Sequence, residues 1–398
     1  MIITNVKVFT EEQIFRYGAI YVRDGKITEV SVNGESADIC SNQEEILDGQ
    51  GGYVIPGLID LHFHGCMGYD FCDGTKEAIE VIAKYEASVG VTAIAPGTMT
   101  LPVEELEAIV KTAAEYQREC LLETADDRCK KADLVGINME GPFISPAKKG
   151  AQNEKYIIPC DAEVAERFLK DSEGLVKIIG LAPEETDRES MTAYVKQMSD
   201  RVHVSLAHTD AEYETAKAAI DAGANHAVHL YNAMSVFTHR APGVIGAVAE
   251  NENVTAELIC DGIHIHPAVV RSTFQMFGKD RIILISDSIE ATGMSDGRYV
   301  LGGLEIEVKG NRATLVSDDT LAGSTTNLME CMRKAVREMG IPLEAAVACA
   351  SVNPAKKLGV YEEYGSIESG KRANLVLLDS ELNVQAVLKD GKIIYRMS

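Results

Sequence analysis

Several absences narrow this sequence before any motif does. Its nine cysteines are odd in number and include no CxxC pair, which argues against a disulfide framework and a zinc ribbon and suits a reducing compartment. No apolar run reaches the roughly 18 residues that a membrane span requires. The start, MIITNVKVFTEEQIF, has no basic stretch followed by an apolar core, so a soluble cytoplasmic protein without a membrane partner is the expectation. Basic residues are scarce. Lys and Arg total 38 against 61 Asp and Glu, for a net charge of -23, and such a field repels nucleic acid and anionic membranes. An anionic small molecule would therefore need a locally basic pocket. There is no low-complexity tract, and 46% hydrophobic with 25% charged residues describes a folded, enzyme-like chain.

What is present reads as one large and one small domain. A (β/α)₈ TIM barrel takes about 250 residues, and the remainder of the 398 residues leaves room for a small companion. Both chain ends carry hairpin signals: AIYVRDGKITEV turns at Asp24-Gly25, and VQAVLKDGKIIY turns at Asp390-Gly391. Residues 1–55 and 356–398 are therefore expected to share one small β-domain, with the barrel over 56–355. Within the barrel eight near-continuous apolar runs alternate with helical patterns such as VEELEAIVKTAAEY. The runs are GLIDLHFHG, VTAIAPGT, ADLVGINMEG, VKIIGLAPE, HVSLAHTD, HAVHLYNAM, VTAELICDG and IILISDS. An open doubly wound sheet usually stops at five or six strands, so eight point to a barrel. After the eighth run, YVLGGLEIEVKGNRATLVSDDTLAGSTTNL reads as a hairpin insertion over the barrel mouth, before helices in 326–350.

Barrel enzymes build their sites at the C-terminal ends of the strands. His62 and His64, Glu140, His208, His229 and Asp287 lie at the ends of runs one, three, five, six and eight. The two-residue spacing of His62 and His64 sends both side chains from one face of a strand. Taken singly, each residue has a plainer reading: a packing histidine, a strand-end salt bridge for Glu140, or a helix N-cap for Asp287, since Glu290 follows three positions on. Their joint placement favours a metal site. Imidazole and carboxylate ligands without thiolate suit zinc or iron. Beside a metal-bound water, Asp287 could accept a proton and later return it to a leaving amine. Past runs six and seven, Asn232, His239, Arg240, His264 and His266 form a donor-rich, cationic rim, either a solvated patch or a place for phosphate or carboxylate.

The motifs PGLIDLHFHG, MEGPFISPAKKGAQN, SLAHTDA, HLYNAMSVFTHRAPGVIGA, DGIHIHP, LISDS, TLAGS and SVNPAK occur in this order. Carrying them, the chain resembles the N-acetylglucosamine-6-phosphate deacetylases of the amidohydrolase superfamily almost end to end. The resemblance implies a TIM barrel with a small β-sandwich from both termini, usually a homodimer, that removes acetate from the 2-amino group of an amino-sugar phosphate. It assigns Glu140, His208 and His229 to a main metal, His62 and His64 to a second, and Asp287 to acid-base catalysis. One or two ions per subunit follow, because some members replace both histidines. Substrate contacts implied are Ala151, Gln152, Asn232, Ala233, Arg240, His264, Leu321, Ala322 and Gly323, with Arg240 and His264 reaching the phosphate from the neighbouring subunit. Some members have histidine where this chain has Gln152, which can donate to the acetyl carbonyl but not as a cation.

Alternatives on the same barrel are a deacetylase for the N-acetylgalactosamine epimer and a hydrolase of cyclic amides or N-acyl amino acids. Cyclic-amide hydrolases commonly bridge two metals with a lysine on strand four, and IIGLAPE has none. A sugar-phosphate binding protein on a dead barrel should have lost Asp287 or a ligand, and none is missing.

Overall fold

The computed structural model describes residues 1–32 and 45–397. The eight apolar runs become eight parallel strands, each followed by helix. They are Leu58–Asp60, Val91–Ile94 continued by Gly97–Thr98, Asp133–Leu134 continued by Ile137–Met139, Val176–Leu181, His203–Leu206, His226–Ala227, Thr255–Ile259 and Ile282–Ile285. Neighbours pair in chain order. The second and third strands are interrupted at Pro96 and Gly136, where one residue lacks an N–H and the other a side chain to pack. Beyond the last regular pairing, Asp287 N–H donates to His62 O at 3.0 Å and His64 N–H donates to Ser288 O at 2.7 Å. These bonds join the eighth strand to the first and close the ring at the level of the predicted site.

The strands are apolar almost throughout because both faces are covered, one by the barrel interior and one by helices. The helices start where the sequence supplies caps. Thr75 accepts from Ala78 N–H ahead of Lys76–Ser88, and Asp161 and Asp187 cap Ala162–Asp171 and Arg188–Ser199. Ile79, Ile82, Ala83 and Ala87 then turn one buried stripe of the first helix inward. No described helix is long and apolar enough to cross a membrane.

Strands from the two chain ends pair in one sheet. Lys392–Arg396, Val384–Lys389, Leu375–Leu378, Tyr53–Pro56, Ile2–Phe9, Phe15–Arg23 and Lys26–Val32 pair in that order, with Ile46–Asp48 on Ile2–Phe9. By hydrogen bonding this is one continuous eight-stranded sheet. Both predicted turns form, with positive φ at Asp24 and Gly25 (51° and 78°) and at Asp390 and Gly391 (48° and 72°), the left-handed pair that a type I′ turn needs. The insertion has one strand more than the hairpin expected. Gly297–Leu301, Leu304–Lys309 and Arg312–Leu315 form an antiparallel sheet, because Gly302 and Gly303 (φ 56° and 81°) make a second turn. Its inner face, Ile306, Val308, Ala313 and Leu315, packs with Met99, Ala151 and Ile289 above the barrel.

Candidate metal centre at the barrel mouth

All six predicted residues come together, and all are buried. His208, His229 and Asp287 sit where the chain leaves its strand with positive φ (43°, 22° and 50°). Such backbone conformations persist in non-glycine residues only where the surroundings enforce them. No helix begins at Asp287, so the capping alternative fails.

Glu140 is the hub. Its Oε1 lies 2.9 Å from His208 Nε2, 2.8 Å from His229 Nε2 and 3.4 Å from His62 Nε2. Its Oε2 lies 3.5 Å from His64 Nε2, which is 3.4 Å from Asp287 Oδ1. The other ring nitrogen of each histidine is anchored. His64 Nδ1 faces Gly97 O at 3.3 Å, His208 Nδ1 faces Lys148 O at 2.8 Å, His229 Nδ1 faces Asn232 O at 3.2 Å, and His62 Nδ1 faces Glu257 at 2.6 Å. Carbonyls and carboxylates only accept, so in the neutral ring each Nδ1 carries the proton and each Nε2 turns a lone pair toward the same point. His208 Nε2 and His229 Nε2 are 3.1 Å apart, and His62 Nε2 is buried without a hydrogen-bond partner among the described residues. Lone pairs crowd one carboxylate in this way only if positive charge belongs between them.

The electrostatics make the same demand. Burial works against the charge of Glu140, yet His208, His62 and His229 hold its carboxyl well below the ordinary range. Burial likewise opposes ionisation of Asp287, and His64 and His62 outweigh it. His62 goes the other way: burial disfavours its cation, but the carboxylates of Glu257 and Glu140 raise its pKa well above normal. A divalent cation would meet this demand, and the ligand atoms of two groups, His62, His64, Asp287 and His62, Glu140, His229, each lie within 4.8 Å of one another. The donor set fits a metal ion.

A cavity of about 420 Å³ opens above this cluster, lined among others by Ala151, Gln152, Asn232, Ala233, His264, Leu321 and Gly323. Ala322 is wholly buried beneath it. His264 lines the cavity of its own chain, with Nδ1 2.7 Å from Asp261. Arg240, His239 and His266 are exposed and do not line the cavity. The cations that line it are Lys148 and Lys149, from the segment MEGPFISPAKKGAQN. Gln152 is committed within the protein: its Oε1 accepts from Thr100 N–H at 2.7 Å and its amide donates to Glu140 Oε2 at 2.5 Å. The insertion reaches the cavity through Leu301, Asp318 and Thr320, as its predicted position required. Glu257 escaped the sequence reading, although an acid inside the apolar run VTAELICDG was a usable signal.

A closed parallel barrel with a buried His/Glu/Asp cluster at its C-terminal end defines a class of metal-dependent hydrolases, and the chain belongs to the amidohydrolase family, whose model matches residues 53–394. Within it the chain falls among the N-acetylglucosamine-6-phosphate deacetylases. It is 34% identical over 395 residues to that enzyme from Bacillus subtilis (strain 168), covering 99% of this chain and 97% of the relative. The solved structure of a mutant of the Mycobacterium smegmatis enzyme, in complex with N-acetyl-D-glucosamine-6-phosphate, superimposes with a TM-score of 0.88 at 32% identity over 99% of both chains. An N-acetylgalactosamine-6-phosphate deacetylase from Escherichia coli O157:H7 is also 34% identical, over 85% of this chain and 87% of its own.

Proposed function

We propose that this chain hydrolyses the acetamide of N-acetylglucosamine 6-phosphate to glucosamine 6-phosphate and acetate, in amino-sugar catabolism. The observation that carries the reading is the convergence of four Nε2 lone pairs and two carboxylates on one buried point below an open cavity. Glu140, His208 and His229 would hold the main ion, zinc or iron, and His62 and His64 a second, giving one or two ions per subunit. When bound, such an ion supplies a nucleophilic water near neutral pH and polarises the acetyl carbonyl. Asp287, whose Oδ1 lies 3.4 Å from His64 Nε2, would take the proton of the attacking water and give it to the sugar nitrogen as acetate departs. Gln152 fixes the second oxygen of Glu140. Ala151, Asn232, Ala233 and Leu321 to Gly323 shape the sugar site, and His264 meets the phosphate. Remote phosphate contacts orient the acetamide without touching the bond that breaks.

Arg240 belongs to an exposed segment that also carries Val236 and Phe237, 76% and 46% exposed. In a homodimer this segment would cover its apolar residues and deliver Arg240 to the partner's phosphate site. The small domain, a β-sandwich of residues 1–55 and 356–398, would buttress the barrel. The described cysteines are all free, which fits the cytoplasm.

Acetate release from N-acetylglucosamine 6-phosphate, its galactosamine epimer and the unphosphorylated sugar, with metal analysis of the same sample, tests the reading. N-acetylglucosamine 6-phosphate should be turned over fastest by metal-loaded protein. Preference for the epimer would transfer the assignment to the galactosamine activity, and turnover independent of phosphate would remove the proposed clamp.

A further inference from the structure

Glu257 is the one charged residue of its strand, Thr255–Ile259, and it is fully buried. It lies beneath the metal centre and receives four donors. Oε2 accepts from His62 Nδ1–H at 2.6 Å and from the backbone N–H of His229 at 2.9 Å. Oε1 accepts from His226 Nε2–H at 2.8 Å and from the Asn138 amide at 3.5 Å. One carboxylate thus holds the ring of His62 and the backbone of His229, two of the residues around the ion-binding point. The anchors of His64, His208 and His229 are backbone carbonyls, whereas that of His62 is an acidic side chain faced by four donors. His62 is also the residue common to both candidate ion-binding groups.

We propose that Glu257 is a positioning residue that acts through His62: it keeps the His62 proton on Nδ1 and, by its charge, strengthens Nε2 as a metal ligand. The inference rests on the reading that His62 holds an ion. Partners of this kind commonly change metal affinity by about 10- to 100-fold when replaced. Glu257→Gln is the informative variant. The His229 N–H cannot change its role and keeps the amide oxygen on the side of His62, while the amide NH₂ faces His226, whose ring can exchange tautomers to accept it. The fold and the His62 contact should then survive while the charge is lost.

Zinc titration against a chromophoric chelator should show Glu257→Gln weakening one bound ion by about 10- to 100-fold, with little change in the Tm of the metal-free protein. His62→Asn should weaken the same ion, and the double variant should be no weaker than His62→Asn alone, since a residue acting only through His62 adds nothing once His62 is gone. Unchanged zinc affinity in Glu257→Gln, or additive losses in the double variant, would overturn the proposal. Wild-type protein that binds no zinc would instead sink the metal reading beneath it. If Glu257→Gln does not fold, ¹⁵N imidazole shifts of the metal-free wild type decide: a proton on His62 Nδ1 supports the inference, and an unprotonated Nδ1 overturns it.

Discussion

Histidines occupy both ends of this barrel, and the two ends use them differently. The run HVSLAH carries His203 at its start and His208 at its end, and HAVH carries His226 and His229 in the same way. At the N-terminal end both ring nitrogens are satisfied: His203 by Asn225 at 3.1 Å and Lys357 O at 2.8 Å, His226 by Thr255 at 2.7 Å and Glu257 at 2.8 Å. Burial, with Lys357 nearby, lowers His203 to about 4 and also lowers His226, so these rings are neutral framework. At the C-terminal end one nitrogen is anchored and the other is turned to a shared carboxylate. The lesson is chemical: a buried imidazole becomes a candidate ligand when the fold satisfies only one of its nitrogens and points the rest at one place.

The sharpest way to break this comparison is to remove one histidine from each end. His208→Ala should lose bound metal and reduce acetate release by about 10³-fold or more, whereas His203→Ala should keep both metal and most turnover. Equal losses of metal in the two variants would erase the distinction. Asp287→Asn should keep metal yet lower kcat by about 10²- to 10⁴-fold, measured by acetate release beside metal content. Near-normal kcat would remove Asp287 from proton transfer.

Arg240→Ala tests the rim rather than the centre. Loss of a charge-assisted contact worth roughly 1.5–3 kcal/mol should raise KM for the phosphorylated sugar by tenfold or more with little change in kcat, and an unchanged KM would place the phosphate elsewhere.

The smallest expected effect lies behind the barrel wall. Glu86 is fully buried, and neither carboxylate oxygen has a hydrogen-bond partner among the described residues. Burial, reinforced by Asp60, raises its pKa well above 4.5. A raised carboxyl contributes stability that is present below the ordinary pKa and is lost as pH rises through the folded one. Glu86→Gln should therefore raise Tm by about 2 °C at pH 8 and flatten the decline of Tm between pH 5 and pH 8. A lower Tm at pH 8 would show that the acid has a partner when ionised.

Much of this was legible in the order of residues. The eight strands, both terminal hairpins and the lobe over the mouth were visible because strand periodicity, Asp-Gly turns and apolar runs are local signals. The six residues that the fold brings together could be picked out because barrel enzymes build their sites at one end of the strands. Less legible were the cationic residues of the cavity. Arg240, His239 and His266 are near in sequence to strand ends yet point outside, while Lys148 and Lys149 enter from a loop. Loop direction depends on packing that no local pattern encodes. Glu257 was hidden for a related reason, since an acid in an apolar strand gains meaning only from the four donors that face it.

The sequence by itself determined the number and order of strands, the chemistry placed at their ends and the turns that join them, because each is settled within a few residues of chain. Tertiary structure decided which nitrogen of His62, His64 and His208 is free, whereas His229 is anchored by Asn232 O only three residues on. The anchors of His62, His64 and His208 lie 195, 33 and 60 residues away, so the tautomers that make a metal centre exist only after the barrel has closed.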